Sequence, residues 1–185
     1  MSRVGMASLI SRLRALCEAG TNDHTTEGIS YWSNDQLQAM LDRHSTTLMG
    51  LRLTPLFGSG TVYQYLIPIG RDFEEAGTDS GFALRGADGA LIGPEQYSVN
   101  YAARRITFNT DQGGAPMFLD VRTYNLNAAA AEVWAHKAAF AAAKLDWAAD
   151  GHRVRASQEY RHCVWMARRF RSMAGIQVGR LVREG

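Results

Sequence analysis

Cysteine is scarce in this chain. Its 185 residues hold two, Cys17 and Cys163, far apart and outside any C-x-x-C spacing. That excludes a disulfide framework and a cysteine-based zinc site. Both fall at apolar positions of helical stretches, so buried thiols in a reducing compartment are expected. Long hydrophobic runs are also missing, and no charge-free stretch is both apolar and long enough to span a bilayer. Leu9-Ile10 gives way at once to Ser11, Arg12 and Arg14, so no signal peptide is expected. The chain therefore reads as a soluble protein made in a cytoplasm.

Catalytic signatures are missing as well. The histidines at 24, 44, 136, 152 and 162 form neither H-E-x-x-H nor a cluster at metal-ligand spacing. There is no G-x-S-x-G elbow, no phosphate-binding G-x-x-x-x-G-K-[ST] loop and no G-x-G-x-x-G after a strand. Gly77-Thr-Asp-Ser-Gly81 is glycine-rich, but no helix start follows to orient a phosphate. The carboxylates of Asp72, Glu74 and Glu75 suggest an acid/base pair for glycans, but one short acidic segment reads better as a solvated loop. No catalytic residue, metal or cofactor is expected, and the chain reads as a non-enzyme.

What is present is apolar mass and uneven charge. Apolar residues make up 46%, enough for a sizeable core, with Trp32, Trp134, Trp147 and Trp165 as large anchors. Residues 151–185 carry eight arginines against two glutamates, a net of +6, which leaves −4 on the remaining 150 residues. A basic end on an acidic body points to an acidic partner or a nucleic acid.

Apolar spacings of three and four predict a helix over 6–17, with Met6, Leu9, Ile10, Leu13, Leu16 and Cys17 in the stripe. Residues 20–30 read as a polar loop. Ser33 with Gln36 matches a capping box for a second helix, whose stripe is Leu37, Met40, Leu41, His44 and Leu48. Strands are expected at 61–67, 82–85, 97–100, 105–109 and 117–124, between glycine-rich turns. Asn127 is the expected cap of an alanine-rich helix over 128–149, and Ser157 the start of a fourth helix ending near Gly175. Tyr160, Val164, Ala167, Phe170 and Ala174 form its expected stripe. The expected class is α+β: a helical-hairpin core of four main helices (1–49 and 125–175), an inserted small antiparallel β region (50–124) and an extended C-terminal arm (176–185).

The run Tyr31-Trp-Ser-Asn-Asp-Gln-Leu-Gln-Ala-Met-Leu-Asp-Arg-His44, after an opening helix, resembles the start of head-to-tail connector (adaptor) proteins of tailed bacteriophages. Tyr63–Tyr65, Tyr97-Ser-Val-Asn100 and Arg105-Ile-Thr-Phe108 are similar to the β region inserted in some of them. Tyr124-Asn-Leu-Asn-Ala-Ala-Ala-Ala131 and the helix from Ser157 to Arg171 resemble their last two helices. The resemblance spans about residues 5–175; the simplest adaptors are all-helical and lack the β region.

The resemblance implies a virion structural protein in the neck of the particle, present in the host cytoplasm during assembly. Such proteins form a ring, usually of twelve copies, under the portal protein. They extend the DNA channel and dock tail, stopper or head-closure proteins. Ile176, Val178, Arg180, Leu181, Val182 and Arg183 are then the expected portal-binding arm. Arg161, Arg168, Arg169 and Arg171 are the expected channel or acidic-partner face, with non-specific contact to genomic DNA. The alternative is a DNA-binding or packaging accessory protein. Deleting residues 176–185 is expected to abolish co-sedimentation with the portal, and unchanged co-sedimentation rejects the arm.

Overall fold

The computed structural model describes residues 2–175 apart from 59, 78, 145, 146, 150, 151 and 155; for 147–149, 152–154 and 156 it describes backbone only. The expected arm, 176–185, lies outside the described residues. The chain divides into two units. One comprises residues 2, 7–45 and 125–175, and the other residues 3–6 and 46–124.

A helical-hairpin core with a small insertion is not what forms. Among the described residues there are four α-helices and twelve strands, the strands arranged in four sheets. Two of these sheets lie in the first unit, where a purely helical core was expected, and the β unit holds two four-stranded sheets and an apolar core of its own.

In the first unit, α1 (Ala7–Cys17) buries Leu9, Ile10, Leu13 and Cys17. Leu16, assigned to the same stripe, lies on the exposed side. The expected polar loop contains a hairpin instead, β1 (His24–Thr26) with β2 (Ile29–Tyr31), antiparallel from His24↔Tyr31 to Thr26↔Ile29. Its two-residue turn, Glu27-Gly28, has both φ values positive (51° and 80°), as the twist of a tight hairpin requires. Glycine is at home there and glutamate is not, so the turn carried no clear signal.

α2 (Asn34–Arg43) starts as expected: Gln36 N donates to Ser33 Oγ at 3.2 Å, and Ser33 N donates back to Gln36 Oε1 at 2.7 Å. It stops before Leu48 because His44 O accepts the Asn125 N–H at 3.0 Å, which turns the backbone to strand pairing. α3 (Leu126–Ala142) is capped by Asn125, whose side chain accepts from Ala128 N at 3.0 Å, not by Asn127. It ends at Ala142, and residues 147–149 belong to the hairpin β11 (Trp147–Ala149) and β12 (His152–Val154). α4 (Ala156–Ala174) then packs along α3, and Asn125 Nδ2 donates to Ala174 O at 3.0 Å, pinning its last turn.

In the β unit the eight strands are β3 (Ser45–Arg52), β4 (Thr54–Gly58), β5 (Thr61–Leu66), β6 (Asp72–Phe73), β7 (Ala83–Arg85), β8 (Tyr97–Asn100), β9 (Arg105–Phe108) and β10 (Phe118–Tyr124). One sheet has the order β4-β5-β9-β8, and the other β3-β10-β6, with β7 also on β10. β5, β7, β8, β9 and β10 match the expected runs. Tyr65, Ile106, Leu84, Leu119 and Val121 are at the centre of the buried cluster. Fully burying such side chains stabilises by roughly 1.5–3 kcal/mol each.

Glu74 is the unexpected element. The acidic segment read as solvated carries a carboxylate with 0% exposure. Arg3 Nε reaches its Oε1 at 2.8 Å, Tyr124 donates to its Oε2 at 3.0 Å, and Arg122 lies 3.7 Å from Oε2. Arg3 also donates to the Tyr124 hydroxyl at 3.0 Å. Burial, with the adjacent Glu74 charge, pushes the Tyr124 phenol up to about 12, so it remains a donor. Glu75 N donates to Gly5 O at 3.1 Å, and a Cβ on Gly5 would run into the Glu75 carbonyl. Residues 3–6 are thus stitched to the β unit by an ion pair and a close backbone approach that only glycine permits.

Removing one partner of a buried ion pair leaves the other uncompensated. Glu74→Ala is therefore expected to cost about 3 kcal/mol in urea unfolding of the whole chain. A loss below about 1 kcal/mol would show that the cluster contributes no more than an ordinary hydrogen bond.

Candidate functional site

α4 has two unlike faces. Cys163, Ala167 and Phe170, at spacings of four and three, are buried. On the opposite side, Arg161, Trp165, Arg168 and Ser172 follow one another at the same spacings, with Arg169 and Arg171 on either flank. All four arginines are exposed. Trp165 is 56% exposed, against a buried mean for tryptophan, and Tyr160 and Met173 are exposed elsewhere on the helix. Tyr160, expected inside, faces out.

The Arg169 guanidinium lies 5.6 Å from the centre of the Trp165 ring, a cation–π arrangement. The His162 ring is tilted against Trp165 at 6.4 Å and stands edge-on to Trp134 at 5.5 Å. These contacts hold the indole upright on the helix. Glu159 is the acidic residue of α4, and Lys144 takes it at 2.9 and 3.0 Å. Among the described residues no ion pair reaches Arg161, Arg168, Arg169 or Arg171. The structure thus brings the four expected arginines onto one helix, and adds Trp165 at the centre of them. The arm residues Ile176, Val178, Arg180, Leu181, Val182 and Arg183 lie outside the described residues.

A second feature is a cavity of about 260 Å³ in the first unit. Its walls include Glu18, Asp23, His24, Trp134, Lys137, Phe140, Lys144, Glu159, His162 and Cys163. Two ion pairs take up both of its lysines. Lys137 Nζ sits 3.0 Å from Asp23 Oδ2 and 3.0 Å from Glu18 O, over the Trp134 ring. Lys144 holds Glu159 and lies over the Phe140 ring at 4.5 Å. His24 is stacked between Tyr31 at 4.9 Å and Phe140 at 4.1 Å. The lining comes from four separate stretches of sequence, so no local pattern announced it.

Nor do the other ionisable groups make a reactive centre. Glu132 on α3 is gripped by Arg43, and by His44 Nε2 at 2.8 Å. Burial acts against its charge, but those two partners outweigh it and hold the carboxyl below its usual range. Cys17 and Cys163 are both free and buried. Burial pushes the Cys17 thiol up to about 12, and burial with the nearby Glu159 raises Cys163. Among the described residues no group of three or more His, Cys, Asp or Glu is placed to hold a metal ion, and no helix is long and apolar enough to cross a membrane.

No protein-family model matches the chain, and no curated protein and no solved structure matches it at a significant level.

Thiolate, not thiol, reacts with alkylating agents. In the native protein at mildly alkaline pH, iodoacetamide is expected to leave both cysteines unmodified over a period that fully labels the urea-unfolded chain. Mass spectrometry reads the count, and rapid native labelling of either cysteine contradicts the burial described.

Proposed function

We propose that the chain is a structural protein of a tailed-phage virion, a head-to-tail connector in the neck. In this reading it forms a ring under the portal, extends the DNA channel and docks tail or stopper proteins, without catalysis. The observation that carries the reading is the outer face of α4, where four arginines without an ion pair among the described residues accompany an exposed tryptophan. Exposed Trp and Arg together are what the centres of protein interfaces favour. The arrangement supports docking more than chemistry, because the same helix keeps its one cysteine buried and its one glutamate paired. The sequence resemblance supplies the choice of portal and tail as partners, and the usual ring number of twelve.

The runner-up is a DNA-binding or packaging accessory protein, favoured by the same four arginines. Four neutralised phosphates on a duplex give a slope of about −3.6 for log affinity against log salt. A clear slope of that size, with affinity retained at physiological salt, favours DNA.

Mixing the purified chain with the portal protein is expected to give ring-shaped density on the portal in electron microscopy. Changing Arg161, Arg168, Arg169 and Arg171 together to Gln is expected to abolish it. A portal that stays bare in the presence of the unaltered chain rejects the connector reading.

A further inference from the structure

We infer that the outer face of α4 receives an acidic segment of a protein partner, with Trp165 seated at the middle of the contact. The inference rests on reading the chain as an assembly module, and it names the chemistry of what the module holds.

The charge on this face has one sign. The positive groups of α4 are all arginines, and Glu159 is neutralised by Lys144 at 2.9 Å, so it does not offset them. An unpaired guanidinium offers a planar fork that matches a carboxylate with two parallel hydrogen bonds. Arg161, Arg168 and Ser172 run along one line of the helix with Trp165 between them. At 1.5 Å per residue, the line from 161 to 172 is about 16 Å long. That length suits about five residues of an extended strand, or about three turns of a second helix.

Trp165 calls for a partner with a group to lay against it. Duplex DNA is met mainly through its phosphates, which leaves an indole standing 56% exposed among the arginines unused, and a single strand that stacks a base on it is the outcome the single-stranded probe below separates. A protein segment that brings carboxylates to the arginines and an apolar side chain to the indole uses both. Arg169 over the ring and His162 against it hold the indole in place, so little freedom is lost on binding.

The test uses the full chain with three probes at physiological ionic strength: a fluorescein-labelled peptide of glutamate with interspersed leucine, a single-stranded oligonucleotide, and a duplex. Anisotropy is expected to show the peptide bound most tightly. Trp165→Ala should weaken it at least about tenfold. The pair Arg168→Gln and Arg169→Gln should weaken it similarly and flatten its salt dependence. Trp165→Tyr should recover part of the loss. Because these side chains are exposed, circular dichroism and melting temperature should stay as in the parent chain. The inference is overturned if Trp165→Ala binds the peptide like the parent, if neither oligonucleotide nor peptide binds, or if an oligonucleotide binds more tightly. Peptide binding as described, with no ring on the portal, removes the connector reading and leaves the docking face. A ring that assembles equally well with Trp165→Ala removes the docking face and leaves the connector.

Discussion

The first unit depends on one constraint: α3 has to be buried along one broad side, about half of its circumference. α1, α2 and α4 all pack against it, and Ala129, Ala130, Ala131, Val133, Trp134, Ala138 and Ala141 disappear into those contacts. A helix hemmed in this way needs small side chains at most positions, because close-packed neighbours leave no room for more. The alanines supply that, and they hold the helix together without side-chain entropy to lose. Trp134 and Val133 add bulk where it can be filled. α4 covers α3 with Cys163, Ala167 and Phe170, and this fixes which way the rest of α4 points. The arginine face is outward because the inner face is committed.

Charge is handled in two different ways in the molecule. Buried or half-buried carboxylates sit against a cation or donor at close range: Glu74 with Arg3 and Tyr124, Glu132 with Arg43 and His44, Asp120 with Arg85 at 2.9 Å. Asp120 also takes the Gly50 N–H at 2.7 Å, and the Arg85 bond with this one holds its carboxyl below the ordinary range. Such groups cannot be left alone where water is scarce. On α4 the cations have no such partner among the described residues. Solvent tolerates them singly, but a concentrated set of one sign creates a field that attracts opposite charge. The contrast between matched interior charge and unmatched α4 charge is why the docking reading is placed there and not at the cavity lined by Lys137 and Lys144.

Much of the local structure was legible in residues whose signal is local. The Ser33–Gln36 box, the apolar stripe of α1 and the β-branched run of β5 each act within a few positions, and each formed. The misreadings have long-range causes. Leu48 continued the spacing of α2, but the His44 carbonyl was taken by Asn125, far along the chain, and the segment became β3. Glu74 looks like any loop carboxylate until Arg3 and Tyr124, from both ends of their unit, close around it. Tyr160 lies at helical spacing with Phe170, yet only packing against α3 says which of the two is inside.

The sequence by itself determined the Ser33–Gln36 cap, the runs of β5, β7, β8, β9 and β10, the basic character of the C-terminal end and the burial-prone cysteines, because these follow from composition and from neighbours within a few residues. Tertiary structure alone decided the large share of strand, the burial of Glu74, the ion pairs of Lys137 and Lys144 at the cavity and the outward stance of Trp165 among the arginines. Each of those depends on which distant segment arrives to cover a given face, and a one-dimensional pattern carries no term for that encounter.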